Sequence, residues 1–103
     1  AAMMAATKRA IEVPLRVMEV SLEAMETIRT MADIGQETSA SDAGVAALCA
    51  RSAVRGAYLN VRINVADLSD LAAATDFLDR GAEIQKRAKD MEQEILALVE
   101  RNI

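Results

Sequence analysis

The fold is decided by residues 41–65, SDAGVAALCARSAVRGAYLNVRINV. Apolar and small side chains recur there every three or four positions, which is the spacing of a long α-helix. They do so on two faces. The first face consists of Val45, Cys49, Ser52, Gly56, Leu59 and Ile63, and the second consists of Val54, Tyr58, Val61 and Val65. Because a helix that is apolar on two faces is typical of the centre of a bundle, we predict neighbours on both.

A third stripe between these faces carries the chain's candidate binding groups. It consists of Ala53, Ala57, Asn60 and Asn64. The two amides are four residues apart and therefore project the same way from small side chains. Asn64 lies near a helix end, where an Asn is commonly structural, but Asn60 lies inside the helix. A buried amide without partners costs about 1–3 kcal/mol, so we expect a neighbouring helix, a water or a ligand to bond Asn60.

Length and composition indicate one small all-α domain. The chain has 103 residues, 52% of them apolar, with one Phe, one Tyr and no Trp. A core of aliphatic residues at helical spacing, with one Pro and four Gly, favours a helical bundle. No alternating strand pattern occurs, and the length allows a single modest core.

Charge and residue usage exclude several functional classes. The net charge of −4 argues against nucleic-acid binding, which needs a concentrated basic surface. The absence of His excludes the usual zinc sites and any His-dependent nucleophile. Cys49 is the only cysteine, which excludes an internal disulfide. With no apolar run of membrane-spanning length and no signal peptide before the first helix, we expect a cytoplasmic protein without a membrane partner.

Three long helices are predicted, over residues 1–33, 41–65 and 71–101. The first carries an apolar seam at helical spacing, which consists of Ile11, Leu15, Met18, Leu22, Met25 and Ala32. Pro14 falls inside the first, where it removes a backbone donor, so we expect a kink or break near residues 10–13. Gly35 is expected to end this helix in a left-handed conformation, before a short polar loop over residues 36–40.

Short polar residues mark the starts of the next two helices. Ser39 or Ser41 is a natural N-cap for the second helix, and Ser69 or Asp70 for the third. Asp42 then lies in the first turn of the second helix, where the helix dipole favours a negative charge.

The third helix and the internal glycines indicate further contacts. The third helix carries a heptad seam of Phe77, Gly81, Ile84, Ala88, Met91, Ile95 and Leu98. At roughly 45 Å it is too long for a small core to cover, so we expect the seam's exposed parts to meet another subunit or a further segment. Gly44 and Gly56 inside the second helix indicate close approach of another backbone or a ligand. The chain also begins directly in helix-forming residues, as would either the middle of a longer protein or a start from which the initiator Met has been removed.

Charges are ordered along the helices. Four acidic residues line one side of the first helix: Glu12, Glu19, Glu23 and Glu26. Three arginines lie near one face of the second helix: Arg51, Arg55 and Arg62. Ion pairing between helices or plain solvation explains it, and the alternative is a docking strip for an anionic ligand tail. Exposed ion pairs would contribute only about 0–1 kcal/mol each.

Three blocks resemble one family. They are AIEVPL at residues 10–15, GQETSASDAGVAA at 35–47 and GAYLNVRINVADLSD at 56–70. In this order and spacing they resemble the cyclodeaminase/cyclohydrolase family, which acts on tetrahydrofolate derivatives. The resemblance covers essentially the whole chain, but only the C-terminal half of the family's domain. The preceding half, which carries the family's catalytic carboxylate, is absent from this sequence.

The resemblance implies two reactions on tetrahydrofolate and a set of site residues. One reaction closes a ring on the formimino group and expels ammonia, and the other hydrolyses the methenyl bridge. Neither requires a metal or redox cofactor, and each needs a proton transfer. With no His, Asp42, Asp67 and Asp70 are the carboxylates near the blocks, and we take Asp42 as the catalytic candidate. Asn60, Asn64, Ser41 and Arg55 are the substrate-binding candidates.

Three functions stay open at this point. The first is a folate-converting enzyme or its C-terminal half, self-associated as a homodimer or higher oligomer and complemented by an N-terminal half. The second is a non-catalytic oligomerisation module that keeps the family's packing. The third is a coiled-coil adaptor built on the last helix, which would not explain the amides.

Overall fold

The computed structural model describes residues 2–35 and 39–103, which form three helices: α1 (Ala2–Ile34), α2 (Ala40–Val65) and α3 (Leu71–Glu100). Their bounds lie within one residue of those predicted, and the all-α bundle is confirmed. The three helices pack along their lengths into a rod of 54 × 18 × 16 Å. Within the described residues, no helix is both long enough and apolar enough to cross a membrane.

One continuous core runs along the axis of the bundle. The seam predicted on the first helix is buried throughout, with Ile11, Met18 and Met25 completely inaccessible. The second face of α2 is buried at Val54, Val61 and Val65. Removing such side chains from water at about 25 cal/mol per Å² is the main stabilising contribution.

The seam of α3 is covered within the chain. Phe77, Met91 and Ile95 are buried, and Ile84 and Leu98 pack against the core. The prediction that the bundle leaves long parts of this seam exposed is therefore wrong, and contact with another subunit or a further segment stays a prediction. The seam is covered because both α1 and α2 pack against α3.

The exposed apolar face lies on α2 instead. Val45, Leu59 and Ile63, on the first of its two predicted faces, are 59%, 61% and 70% exposed. Periodicity predicted a neighbour on this face, and the described residues supply none, because α1 and α3 both pack on the other side.

Two features predicted for α1 are not found. Of the kink or break expected near Pro14, no break occurs, since the helix continues through this residue. Gly35 does not have a positive φ, and its N–H donates to the carbonyl of Met31 at 2.6 Å, which continues the helical pattern for one more residue. Of the predicted polar loop, residues 36–38 lie outside the described residues.

The helix starts follow the predicted caps in part. Ser39 is the N-cap residue of α2, although its side chain makes no capping hydrogen bond, and Ser41 is exposed within the helix. Asp70 caps α3, since its Oδ1 accepts a hydrogen bond from the N–H of Ala73 at 3.1 Å. That bond lowers the pKa of Asp70. Desolvation opposes the shift, and the Lys8 ammonium, 3.6 Å away, adds to it.

Tyr58 of α2 contacts α3 through a hydrogen bond and through the packing of its ring. Its hydroxyl donates to the carbonyl of Leu78 at 3.1 Å, which is the hydrogen bond expected of a packed tyrosine. Its ring occupies the space beside Gly81, where an added Cβ would lie 2.7 Å from Cδ1 of the ring. A Cβ on Gly44 would lie 3.4 Å from a side-chain carbon of Val99, which is an ordinary contact, and a Cβ on Gly56 would meet nothing within 4 Å. Within the described residues, no backbone approaches either glycine as predicted.

Replacing Asp70 should produce a pH-dependent loss of stability. Asp70→Ala removes the cap of α3 and should lower the Tm at pH 7. Because folding lowers the pKa of Asp70, its contribution is complete above the ordinary value of 3.8 and is lost as the pH falls through the folded-state value. The Tm gap to the wild type should therefore close in acid, as followed by circular dichroism. Asp67→Ala, in the same connection but not at a cap, is the control, and a gap that stays constant with pH would contradict the assignment.

Candidate functional site

A groove between α1 and α2 contains the stripe of amides. Its volume is about 400 Å³, and its walls come from these two helices alone. We call it the α1/α2 groove, and it is lined by Ala10, Val13, Pro14, Val17, Ala53, Ala57, Asn60 and Asn64. All four members of the predicted stripe line it. The other four lining residues were not among the predicted site residues.

The side chain of Asn64 donates a hydrogen bond to the backbone carbonyl that lacks a donor because of Pro14. In a regular α-helix the carbonyl of Ala10 would accept from the N–H of residue 14, but proline has none. The Nδ2 of Asn64 donates to that carbonyl at 3.1 Å. This bond supplies the donor that the carbonyl of Ala10 lacks in α1. Since the carbonyl can only accept, the Oδ1 of Asn64 is left available to a further donor.

The environment of Asn60 differs from the buried one that was predicted. It is exposed at the rim of the groove and makes no hydrogen bond to the described residues. The prediction of a buried amide that requires a partner is therefore wrong. The core face of α2 is centred on Val54 and Val61, and Asn60 lies beside that face. Its amide is free to bond a molecule in the groove.

The lining of the groove is apolar apart from these two amides. It has no charged side chain, so a molecule bound there would be held by apolar contacts and by hydrogen bonds to uncharged groups. A flat heterocycle with donors and acceptors along one edge suits such a surface. The groove by itself supplies no group that could move a proton.

Asp42 lies at the other end of α2. With Ser39 and Gly35 it lines a second cavity of about 300 Å³, next to the end of α1. Asn60 follows Asp42 by 18 residues, which is roughly 27 Å along a helix. Within one chain, the structure does not bring this carboxylate to the amides.

Ser41 and Arg55 are exposed and line neither cavity. Arg55 precedes Asn60 by five residues, which turns it by roughly 140° around the helix. The structure thus brings together only Asn60 and Asn64 of the five predicted site residues. The roles of all five residues stay predictions.

Ion pairs account for part of the charge pattern. Glu26 of α1 pairs with Arg87 of α3 at 3.8 Å, and Glu23 pairs with Arg16 of its own helix at 3.8 Å. Among the described residues no ion pair reaches the arginines of α2. Arg62 instead lies over the ring of Tyr58, 5.9 Å from its centroid. The Nη1 of Arg51 is buried without a hydrogen-bond partner in this part of the chain.

Comparison with known proteins identifies similar sequences. Residues 1–83 match the family model described as formiminotransferase-cyclodeaminase. The chain is 31% identical over 94 residues to a formimidoyltransferase-cyclodeaminase of Dictyostelium discoideum. It is 40% identical over 73 residues to a methenyltetrahydrofolate cyclohydrolase of Methylorubrum extorquens.

These matches cover most of this chain and a small part of each relative. They span 91% of the chain but 18% of the Dictyostelium protein, and 71% of the chain but 35% of the cyclohydrolase. A formimidoyltransferase-cyclodeaminase of Gallus gallus is 31% identical over 97% of the chain and 18% of its own length.

The bond between Asn64 and Ala10 predicts a coupled pair of substitutions. Asn64→Ala should lower the free energy of unfolding by about 1 kcal/mol, because the Ala10 carbonyl loses its donor. In a Pro14→Ala background the backbone N–H of residue 14 returns, so the same change should cost half as much or less. Urea unfolding of the four proteins in the cycle measures this coupling.

Asn60→Ala is the matched control, because it removes the same group from the same stripe without removing a hydrogen bond to the described residues. Its effect should stay within about 0.5 kcal/mol in either background. Equal costs of Asn64→Ala with and without Pro14 would refute the role given to its amide.

Proposed function

The chain belongs to the formiminotransferase-cyclodeaminase family, and from this membership we propose that it is a helical part of an enzyme of tetrahydrofolate one-carbon metabolism. The reactions proposed are formiminotetrahydrofolate cyclodeamination, methenyltetrahydrofolate hydrolysis, or both. We further propose a cytoplasmic protein that uses no prosthetic group and takes the folate derivative as substrate.

The observation that carries this proposal is the α1/α2 groove with its two amides. Its walls come from two of the blocks by which the sequence resembles folate enzymes, VPL on α1 and NVRIN on α2. Its volume of about 400 Å³ falls within the usual range for small-molecule sites. The Oδ1 of Asn64 and the whole amide of Asn60 are available to the edge of a pterin ring.

The chemistry also requires a group that moves a proton. Ring closure forms a tetrahedral aminal that loses ammonia, and hydrolysis adds water to the cationic methenyl bridge. In either reaction a proton moves onto the leaving group or off the attacking one. Asp42 is our candidate, since Asp70 is engaged as a helix cap. We retain Ser41 and Arg55 as proposed substrate contacts, Arg55 for an anionic ligand tail.

A second function is favoured by one observation, the exposed apolar face of α2. A non-catalytic module that assembles through this face would keep the family's packing without turning over folate. It predicts association in solution with no effect on the methenyltetrahydrofolate chromophore.

Loss of the methenyltetrahydrofolate absorbance on addition of the purified chain tests the proposed activity. We expect a rate above that of buffer alone, and we expect Asn60→Leu to lower kcat/KM about tenfold, the equivalent of one hydrogen bond worth about 1.4 kcal/mol. Because Asn60 is exposed, the melting curve of this variant should match that of the wild type.

Gln93→Leu, an equally exposed amide on α3 far from the groove, is the control and should leave the rate unchanged. A chain that neither binds folate nor accelerates the reaction would contradict the activity proposed for these residues. A loss of thermal stability in Asn60→Leu would instead indicate a structural role for this amide.

A further inference from the structure

The side-chain amide of Asn64 is held in one orientation. An asparagine amide at a surface usually adopts two orientations, related by a half turn that exchanges Oδ1 and Nδ2, because its terminal torsion has a broad two-fold potential. Here the Nδ2 donates to the carbonyl of Ala10 at 3.1 Å. The half turn would put Oδ1 beside that carbonyl, and two acceptors cannot bond each other. The position of Oδ1 is therefore fixed.

Pro14 is the residue that leaves the carbonyl of Ala10 to this amide. With any other residue at position 14, the backbone N–H of that residue would donate to the carbonyl. Asn64 would then gain little from facing it, and both orientations of the amide would be populated. The proline thus acts on the amide across the contact between α1 and α2, through one backbone oxygen.

Both residues line the α1/α2 groove. Pro14 belongs to the wall from α1, and Asn64 belongs to the wall from α2. The other polar side chain of the lining, Asn60, is exposed and makes no hydrogen bond to the described residues, so its amide can turn either way. The remaining lining residues are alanines and valines. Among the described residues, the Oδ1 of Asn64 is therefore the one lining side-chain acceptor with a fixed position.

An acceptor in a fixed position selects a ligand that brings a donor. A ring N–H placed at Oδ1 forms a hydrogen bond to an amide that is already oriented, which favours binding. A ring nitrogen that carries a methyl group leaves Oδ1 without that donor, and a site built around a hydrogen bond rejects analogues that lack it. The amide of Asn60 adapts to either ligand and so contributes little to the choice.

We propose that Pro14 is a positioning residue for Asn64, and that the α1/α2 groove in consequence selects heterocycles with a ring N–H, such as a lactam, over their N-alkylated analogues. The orientation of the amide stands on the contact with Ala10 alone. The choice of a pterin as the ligand, whose 4-oxo ring contains a lactam N–H, rests on the proposed function.

Binding of 6-methylpterin and of 3,6-dimethylpterin, followed by the fluorescence of the pterin, tests this selection. The two compounds differ only in the group on the lactam nitrogen. We expect the unmodified chain to bind 6-methylpterin about tenfold more tightly, the fold-change that corresponds to one hydrogen bond. In Pro14→Ala the preference should fall to about twofold or less, because the amide can then adopt both orientations. Since Ala is the better helix former, this variant should fold.

Two further variants separate the orientation of the amide from its surroundings. Val17→Ala also shortens a groove side chain on α1, and it should weaken both pterins equally and leave the preference unchanged. Asn64→Asp, introduced together with Pro14→Ala, supplies an acceptor in either orientation. It should therefore restore the preference that Pro14→Ala removes. Neither a clash with the added methyl group nor a merely structural role of Pro14 would give this reversal.

The orientation of the amide can also be measured without a ligand. By NMR, the side-chain amide protons of Asn64 should exchange with water more slowly than those of Asn60, its matched control on the same stripe. This difference should disappear in Pro14→Ala. Equal exchange at the two residues in the unmodified chain would overturn the fixed orientation.

The possible failures are distinct from one another. Equal binding of the two pterins, or a preference that persists in Pro14→Ala, would overturn the selection and leave the proposed function intact. A chain that binds neither pterin would overturn the proposed function and the selection together, while the exchange rates would still report the orientation of Asn64.

Discussion

A hydrogen bond across 54 residues of sequence, from the Nδ2 of Asn64 to the carbonyl of Ala10, joins α2 to α1 at the edge of the candidate groove. Pro14 interrupts the hydrogen bonding of α1 at this carbonyl, and the amide from α2 replaces the missing donor. With that replacement α1 runs unbroken from Ala2 to Ile34. α1 packs against both other helices, and it forms one wall of the groove. The same bond thus links the fold to the candidate site.

The helices and their core faces could be predicted because they follow from local rules. Periodicity identified the buried seam of α1 and the face of α2 that carries Val54 and Val61. The cap at Asp70 followed from its side chain and its position before an apolar run. These features depend on residues within a few turns of one another. They need no knowledge of how the three helices are placed.

The features that could not be predicted from the sequence are those that depend on how the three helices are placed against one another. Spacing alone cannot distinguish a face buried by a neighbour from one that stays exposed, so Val45 and Ile63 were expected to be covered within the chain. The same limit applies to Asn60, whose exposure depends on the side from which α1 approaches. Pro14 was predicted to kink or break α1, because the amide of Asn64 that bonds the carbonyl of Ala10 lies 50 residues after Pro14 in the sequence. One signal was present: a proline inside a helix leaves a carbonyl that some distant donor has to satisfy.

The chemistry of the groove follows from the same arrangement. Its amides can orient a heterocycle, but a ring closure or hydrolysis also needs a carboxylate, and along a rigid helix Asp42 stays roughly 27 Å from Asn60. Bending α2 to close that distance would break the core at Val54 and Val61. Asp42 and the amides therefore serve one reaction only if a second chain or a further segment brings a carboxylate to the groove.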